Sequence, residues 1–560
     1  MSGSQGAGRG GDAPRGGGRD GRGGRGGSGG NGPRRNERGR TRNRGTSGGP
    51  RQFSASAPSQ RRRTADPARL AAFETLAAVS RDDAYANLVL PARIAAHRLD
   101  RRDAAFATEL AYGALRGQGL YDAVLAECVD RPLDRLDRPV LDALRLGAHQ
   151  LLGMRVPAHA ALDATVALVR DQVGAGPSGL VNAVLRKVSA HDRESWLERL
   201  TSAAETDDAL AIRHSHPRWI VRALRQSLVN HGRPAGELEE LLAADNAAPV
   251  VNLVALPGLG EIGPVLEAGA EPGPLAPGSA LYHGGDAGRL PGVREGSVRV
   301  QDVGSQLTAR ALAEVPLAPR GAAAGERWLD LCAGPGGKAT LLAALARQRG
   351  ASLLANEPAE HRARLVEQAL SAVPGEGWSV RCGDGRELGP EVAAGRREAF
   401  DRILVDAPCT GLGALRRRPE SRWRRTPADL GPLTELQRQL LDSAVEALRP
   451  GGVLGYVTCS PHPAETVLQV QDVQKRHPDL ELLDTTAYLE RAGAPAGGET
   501  GEGPRAALED AGTPGAPGTS QLWPHLHATD AMFMALFRKA DPADAAAADD
   551  RTTAERTTDS

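Results

Sequence analysis

Two cysteines stand where two short apolar runs stop. Cys409 lies in Val405-Asp406-Ala407-Pro408-Cys409-Thr410, and Cys459 in Val457-Thr458-Cys459-Ser460. Upstream is a glycine-rich turn, Asp330-Leu331-Cys332-Ala333-Gly334-Pro335-Gly336-Gly337-Lys338. A thiolate is the natural nucleophile for a ring carbon that must become electron-rich before it accepts a methyl group. Glycines let the backbone approach a ligand, and a helix N-terminus favours a carboxylate such as that of methionine. Together the cysteines and the turn point to S-adenosylmethionine-dependent methylation of cytosine. A lone cysteine is commonly just a small buried hydrophobe. Two of them at the ends of strands expected to be neighbours make a less ordinary coincidence.

Other candidates fall at similar places. The turn is not a P-loop, because Lys338 is followed by Ala339 and Cys332 stands where the leading glycine would be. Glu357 ends the next apolar run, where an acid can accept from ribose hydroxyls. Asp384, in Cys382-Gly383-Asp384-Gly385, is placed to bracket an adenine. Asp406 suits a base edge, and Pro408 fixes the backbone where its strand stops. Arg416-Arg417-Arg418 and Arg422-Trp423-Arg424-Arg425 form a basic loop with an aromatic inside it, a composition that grips RNA phosphates while the ring stacks. No metal site is expected.

These residues need a scaffold, and the pattern supplies one. From about Arg327 strands and helices alternate. Strands are expected at 327–332, 352–356, 378–382, 400–406 and 453–458, with helices at 338–347, 360–372 and 433–448. That order predicts a parallel sheet with helices on both faces and ligands at the carboxyl ends of its strands. Met532–Phe537 reads as a return to the sheet. Residues 66–200 are predicted all-helical, with stripes such as Leu70, Phe73, Leu76 and Val79. Residues 201–320 read as a small α/β lobe, with a β-like run at Val250–Val254. The expected domains are therefore 1–65, a Gly/Arg-rich tail; 66–200, helical; 201–320, the small lobe; and 321–540, the Rossmann-like domain. The last contains a Gly/Pro-rich insertion at 492–520 and is followed by a disordered tail at 541–560.

Composition narrows the class. The 560 residues are 40% hydrophobic but only 3% aromatic, so the cores must be built from Ala, Leu and Val. The net charge is zero. The first 65 residues nevertheless hold fifteen arginines against three acids, so a +12 tail precedes a −12 remainder. Such a tail lacks the apolar side chains that offset ordering entropy and suits a nonspecific RNA tether or a solubilising segment. Five cysteines without a Cys-x-x-Cys spacing exclude a disulfide framework and fit a reducing cytoplasm. No apolar run is long enough for a membrane span, and the N-terminus has no secretory core segment.

Over about 65–540 the chain resembles the RsmB/Sun (Fmu) family of 16S ribosomal RNA cytosine-5 methyltransferases. The helical front resembles the family's NusB-like RNA-binding domain, and Gln301-Asp302-Val303-Gly304-Ser305-Gln306 the approach to its catalytic domain. Cys332, Ala333, Gly334, Pro335, Gly336, Gly337 and Lys338 match the cofactor turn, with Gly334 where Ala is usual. Glu357, Asp384 and Asp406 fall on the other cofactor or base-contact positions, with Glu357 where Asp is more typical. Glu465 matches the acid beyond the nucleophile motif, Thr466 replaces the usual Asn, and Ala531 stands where Gly is common. The resemblance implies Cys459 as nucleophile, Cys409 as the group serving product release, Asp406 as the base contact, ribosomal RNA as partner and a monomeric enzyme. A tRNA cytosine-5 methyltransferase and a non-catalytic RNA-binding assembly factor are the competing readings.

Overall fold

The structure, a computed structural model, describes residues 65–317, 325–493, 508 and 510–541. The Gly/Arg-rich tail, the tail beyond Asp541 and most of the expected 492–520 insertion lie outside the described residues.

The front of the described chain is helical because its apolar residues recur at three- and four-residue spacing. Asp66 accepts from Arg69 N at 2.9 Å and Pro67 takes the first helical position, which starts helix Pro67–Asp82. Phe73, Leu76 and Val79 on that helix pack with Leu110, Leu144, Val169 and Leu185 from the helices that follow. Each such side chain contributes roughly 1.5–3 kcal/mol through burial. Helices Arg218–Asn230 and Leu238–Asn246 then turn Ile220, Leu224 and Leu241 onto Leu412, Leu415 and Trp523, which come from far along the chain. A small antiparallel sheet follows: β1 (Val251–Ala255), β2 (Glu271–Pro272), β3 (Ser279–Tyr282) and β4 (Val298–Val300), in the order β2-β3-β1-β4.

The large sheet holds β5 (Arg327–Asp330), β6 (Ser352–Glu357), β7 (Trp378–Cys382), β8 (Phe400–Asp406), β9 (Leu448–Thr458), β10 (Leu480–Leu482), β11 (Ser520–Gln521) and β12 (Phe533–Lys539). Its order is β10-β12-β9-β8-β5-β6-β7, with β11 paired to β12. The five strands from β5 to β9 are parallel, as the alternating pattern requires, but β12 and β10 run antiparallel. The expected parallel strands are thus extended into a mixed sheet. The chain re-enters by strand β12 beside β9, a return that reverses direction. Helices Val303–Glu314 and Gly337–Gln348 cover one face through Leu307, Leu312, Leu341 and Leu342. Helices Leu430–Ala447 and Val467–Arg476 cover the other through Leu440, Leu441, Val470 and Val473.

Strand order reverses at β5, whose successors lie on one side and β8 and β9 on the other. Chain connections leave in opposite directions there and open a crevice at the carboxyl ends. Asp330 ends β5 and Asp406 ends β8, so both acids border it. Among the described residues no helix is long and apolar enough to cross a membrane.

Candidate active site

The glycine-rich turn connects β5 to helix Gly337–Gln348. Gly336 sits at φ +105°, a conformation open to glycine and strained for other residues, and this bends the chain into the helix. The helix begins with N–H groups that lack an intrahelical acceptor and face the crevice side of the turn. Lys338, in its first turn, reaches across to Asp406 with Nζ 2.8 Å from Oδ2. Burial works against the ammonium, yet the charge and hydrogen bond of Asp406 keep Lys338 above its ordinary value. This ion pair ties the glycine-rich turn to the end of β8, a link that spacing alone did not reveal.

Glu357 ends β6 and is almost wholly buried. It accepts from Gly334 N and Ala359 N, each at 3.2 Å, and pairs with Arg362 at 3.4 Å. Arg362 also donates to Gly334 O at 2.7 Å. Asp384, just beyond β7, caps a short turn through Arg386 N and pairs with the Arg386 side chain, which holds it below the usual carboxylate range. Asp330 was not singled out from sequence. Its carboxylate is fully buried and makes no hydrogen bond of ordinary geometry among the described residues, with only a weak approach from the Cys332 N–H. Burial, with the charge of Asp406 adding, pushes it up to about 7.

Strands β8 and β9 pair with Asp406 opposite Val457, so the residues just past them meet. Cys409 Sγ and Cys459 Sγ lie 3.4 Å apart. The hydrogen bond with Cys409 holds the Cys459 thiol below its ordinary value, helped by Lys338 and opposed by burial and by Asp406. The same contact, with burial, drives Cys409 up. The shared contact thus moves the two thiols in opposite directions, Cys459 down and Cys409 up. Cys332 is a third cysteine nearby, but burial and the acids around it push its thiol well up, away from nucleophilic form.

The segment holding Cys409 is pinned from behind. Thr410 donates its N–H to Glu465 Oε1 at 2.8 Å and its hydroxyl to Oε2 at 2.5 Å. Gln437 donates to Pro408 O at 2.9 Å, and the Tyr456 hydroxyl donates to Glu465 O at 2.7 Å. Gly413 N donates to Cys459 O, and Ala531 N to Gly413 O, both at 2.9 Å. Glu465 carried a sequence signal through its place after the nucleophile motif; Gln437 and Tyr456 carried none.

The arginine loop departs from expectation. Arg422 is completely buried where the helical front meets the rest of the chain. Its Nη1 donates to Ser215 O at 3.1 Å and Asn246 Oδ1 at 2.7 Å, and its Nη2 to Asp245 O at 2.7 Å. Arg424 lies over the Tyr85 ring and donates to Val79 O at 3.1 Å. Glu420 accepts from Ala86 N at 3.1 Å. Arg416 is spent on Asp302 and Asp530. Arg422 and Arg424 lock the seam, because main-chain carbonyls opposite them supply acceptors that no composition count reveals. Arg417 is partly exposed but ion-paired with the buried Asp530, and Arg418 is exposed over the Tyr85 ring.

Comparison with known proteins matches this architecture. Residues 316–538 match the family model for 16S rRNA methyltransferase RsmB/F, and residues 66–190 match that of the NusB family. The ribosomal RNA small subunit methyltransferase B of Vibrio cholerae is 36% identical over 401 residues, covering 70% of this chain and 86% of its own length. The chain belongs to the RsmB/F family of 16S rRNA methyltransferases. Rv1407 of Mycobacterium tuberculosis is 49% identical over 484 residues, 86% of this chain and 98% of its own. The crystal structure of PH0851, at 22% identity and TM-score 0.68 over 85% of this chain and 99% of that one, shares the fold. RsmB/F enzymes are S-adenosylmethionine-dependent and act on ribosomal RNA, and the helical front is the NusB-type region of this one. The crevice fits that cofactor. It offers an open helix N-terminus, a bare Gly337 whose Cβ would meet nothing outside its own helix closer than Gln301 Nε2 at 3.9 Å, and the unpartnered buried amide of Gln301 beside it.

Proposed function

We propose that this protein methylates C5 of a cytosine in 16S ribosomal RNA through a transient bond between Cys459 and C6. The supporting observation is the pairing of the two sulfurs at 3.4 Å beside the Lys338–Asp406 ion pair. A thiol flanked by a donor thiol and an ammonium is held in its reactive form.

The turn Cys332–Lys338 and Glu357 would hold the cofactor, with Asp384 at its adenine end. When bound, S-adenosylmethionine supplies an electrophilic methyl group on a sulfonium. Cys459 adds to C6, the C5–C6 π electrons become available at C5, Asp406 accepts from the amino group at the N3 edge of the ring, and the Lys338 ammonium it holds offsets the negative charge that moves there. C5 takes the methyl group. Its remaining proton passes to a water molecule as base, the C6–S electron pair returns to Cys459 as thiolate, and the aromatic ring is restored. Cys409, adjacent to the departing sulfur, serves that release. The base must leave its stack to reach the site, which is cheapest in an unpaired segment of RNA. The helical region 66–200 holds the RNA, and its rigid seam with the catalytic domain makes one binding body of the two.

Replacing Cys459 with Ala should lower methyl transfer by at least about 10³-fold, measured by incorporation of labelled methyl into 16S RNA. Cys409→Ala should instead accumulate a denaturation-resistant protein–RNA adduct on gels. Normal turnover by the first variant refutes the nucleophile assignment. A dead Cys409 variant beside an active Cys459 variant would move the nucleophile to the other sulfur. Mapping 5-methylcytosine in RNA from cells with and without the protein decides the base and the atom.

A further inference from the structure

Gln301 stands between β4 and helix Val303–Glu314, and its main chain is held on both sides. Its N–H donates to Asn252 O at 3.0 Å, and its carbonyl accepts from Gln306 Nε2 at 2.8 Å. The next residue, Asp302, caps the helix through Gly304 N at 3.0 Å and is fixed in turn by Thr529 and Arg416. Gln301 is only 7% exposed. Yet neither its Oε1 nor its Nε2 has a hydrogen-bond partner among the described residues. Burying an amide without partners costs free energy, so a fold that fixes the backbone and leaves the amide unspent has a use for it. Its Nε2 is 3.9 Å from the position a Cβ on Gly337 would occupy. The amide therefore looks onto the first turn of helix Gly337–Gln348, beside N–H groups that have no intrahelical acceptor.

We propose that Gln301 binds the amino-acid end of S-adenosylmethionine, Nε2–H donating to the carboxylate and Oε1 accepting from the ammonium. An amide carries one donor and one acceptor group side by side, which is the complement of an α-carboxylate next to an α-ammonium. The helix N-terminus beneath it adds polarity of the sign a carboxylate needs. The target base is the weaker occupant, because a rotatable amide offers the same two atoms to cytosine and to uracil. The inference rests on the cofactor and not on the cytosine assignment. A protein that bound cofactor yet left cytosine unmodified would lose the proposed reaction and keep this contact.

The test uses full-length Gln301→Met, which keeps bulk and removes both polar atoms, and Gln301→Glu, which sets a negative charge against the carboxylate. Binding of S-adenosylhomocysteine and of 5′-methylthioadenosine is measured by titration calorimetry. The second ligand keeps the adenosine and sulfur but lacks the amino-acid end. Gln301→Met should bind S-adenosylhomocysteine roughly tenfold more weakly, and Gln301→Glu more weakly still. Both should hold 5′-methylthioadenosine within about twofold of the parent protein, which also reports an intact fold. Equal weakening for both ligands means that Gln301 only supports the turn, and overturns the proposal. So does unchanged S-adenosylhomocysteine affinity, including the case in which the KM for RNA rises and the amide belongs to the base.

Discussion

The connection that leaves β8 has two halves with opposite uses for its reactive-looking residues. In the first, from Asp406 to Gly413, every polar side chain is turned toward the crevice or braces something that is: Asp406 meets Lys338, Cys409 meets Cys459, and Thr410 is braced by Glu465. In the second, from Arg416 to Arg425, the charges are mostly drawn inward, and Arg422 finishes against Ser215, Asp245 and Asn246. The first half begins at a parallel strand, whose carboxyl end fixes where a side chain points. The second is an irregular path across a seam, where direction depends on what lies opposite. Residue type reports chemistry in the first half. In the second it reports only that a strong multiple donor was available.

The largest test of this division is Arg422→Ala. Removing a fully buried guanidinium leaves carbonyls unmet and Asp245 without its neighbouring charge. Thermal and denaturant melts should record a loss of about 3–5 kcal/mol. The salt dependence of RNA binding by the folded variant should stay as in the parent. Arg418→Ala, on the exposed part of the same loop, should do the reverse, with little change in melting and a shallower salt slope. An Arg422 variant that melts normally but binds RNA poorly would erase the distinction between the halves.

The same contrast explains what could be read before folding was known. The five strands from 327 to 458 were legible because short apolar runs alternate with helical periods, and the cysteines, Glu357 and Asp406 inherited their positions from strand ends. The antiparallel return of β12 and β10 was only half legible. Met532–Phe537 carries the apolar run of a strand, but nothing in a run states its direction. The Lys338–Asp406 pair spans 68 residues, and Asp330 and Gln301 owe their interest to lacking a hydrogen bond of ordinary geometry. Neither property exists until the chain is folded. Arg422 was misread for the same reason, since its acceptors come from Ser215, Asp245 and Asn246 about two hundred residues earlier.

A second test concerns the cost of the crevice. Asp330 is buried with no hydrogen bond of ordinary geometry, and burial pushes it up to about 7, above the ordinary 3.8. Between those values the folded chain holds a proton that the unfolded chain has lost, so stability falls as pH rises from about 4 to about 7 and then levels. Asp330→Asn removes this dependence. The variant should be more stable than the parent at pH 8 by about 2 kcal/mol, with relaxation around the carboxyl trimming a ceiling of about 4, and the gain should vanish toward pH 4. Parallel melts at the two pH values check it. An equal gain at both would mean that packing, and not an isolated charge, sets the cost of this strand end.

The smallest expected effect probes two departures from the family pattern that meet in space. A Cβ on Gly334 would stand 2.2 Å from Glu357 Oε2 and 2.8 Å from Arg362 Nη2. Glu357 is too buried to swing clear without releasing Gly334 N and Arg362. Glycine at 334 and the longer acid at 357 thus form one adjustment: the extra methylene carries the carboxylate into the space that an alanine methyl would fill. Gly334→Ala alone should weaken S-adenosylhomocysteine binding by crowding that carboxylate, and Glu357→Asp alone by withdrawing it. The double variant should recover most of the loss, with a coupling of about 1 kcal/mol by titration calorimetry. Strictly additive losses would show that the two positions drifted independently. They would also show that the turn is held by its backbone alone, and strand ends would then specify only where the crevice is, leaving its fit to the loops.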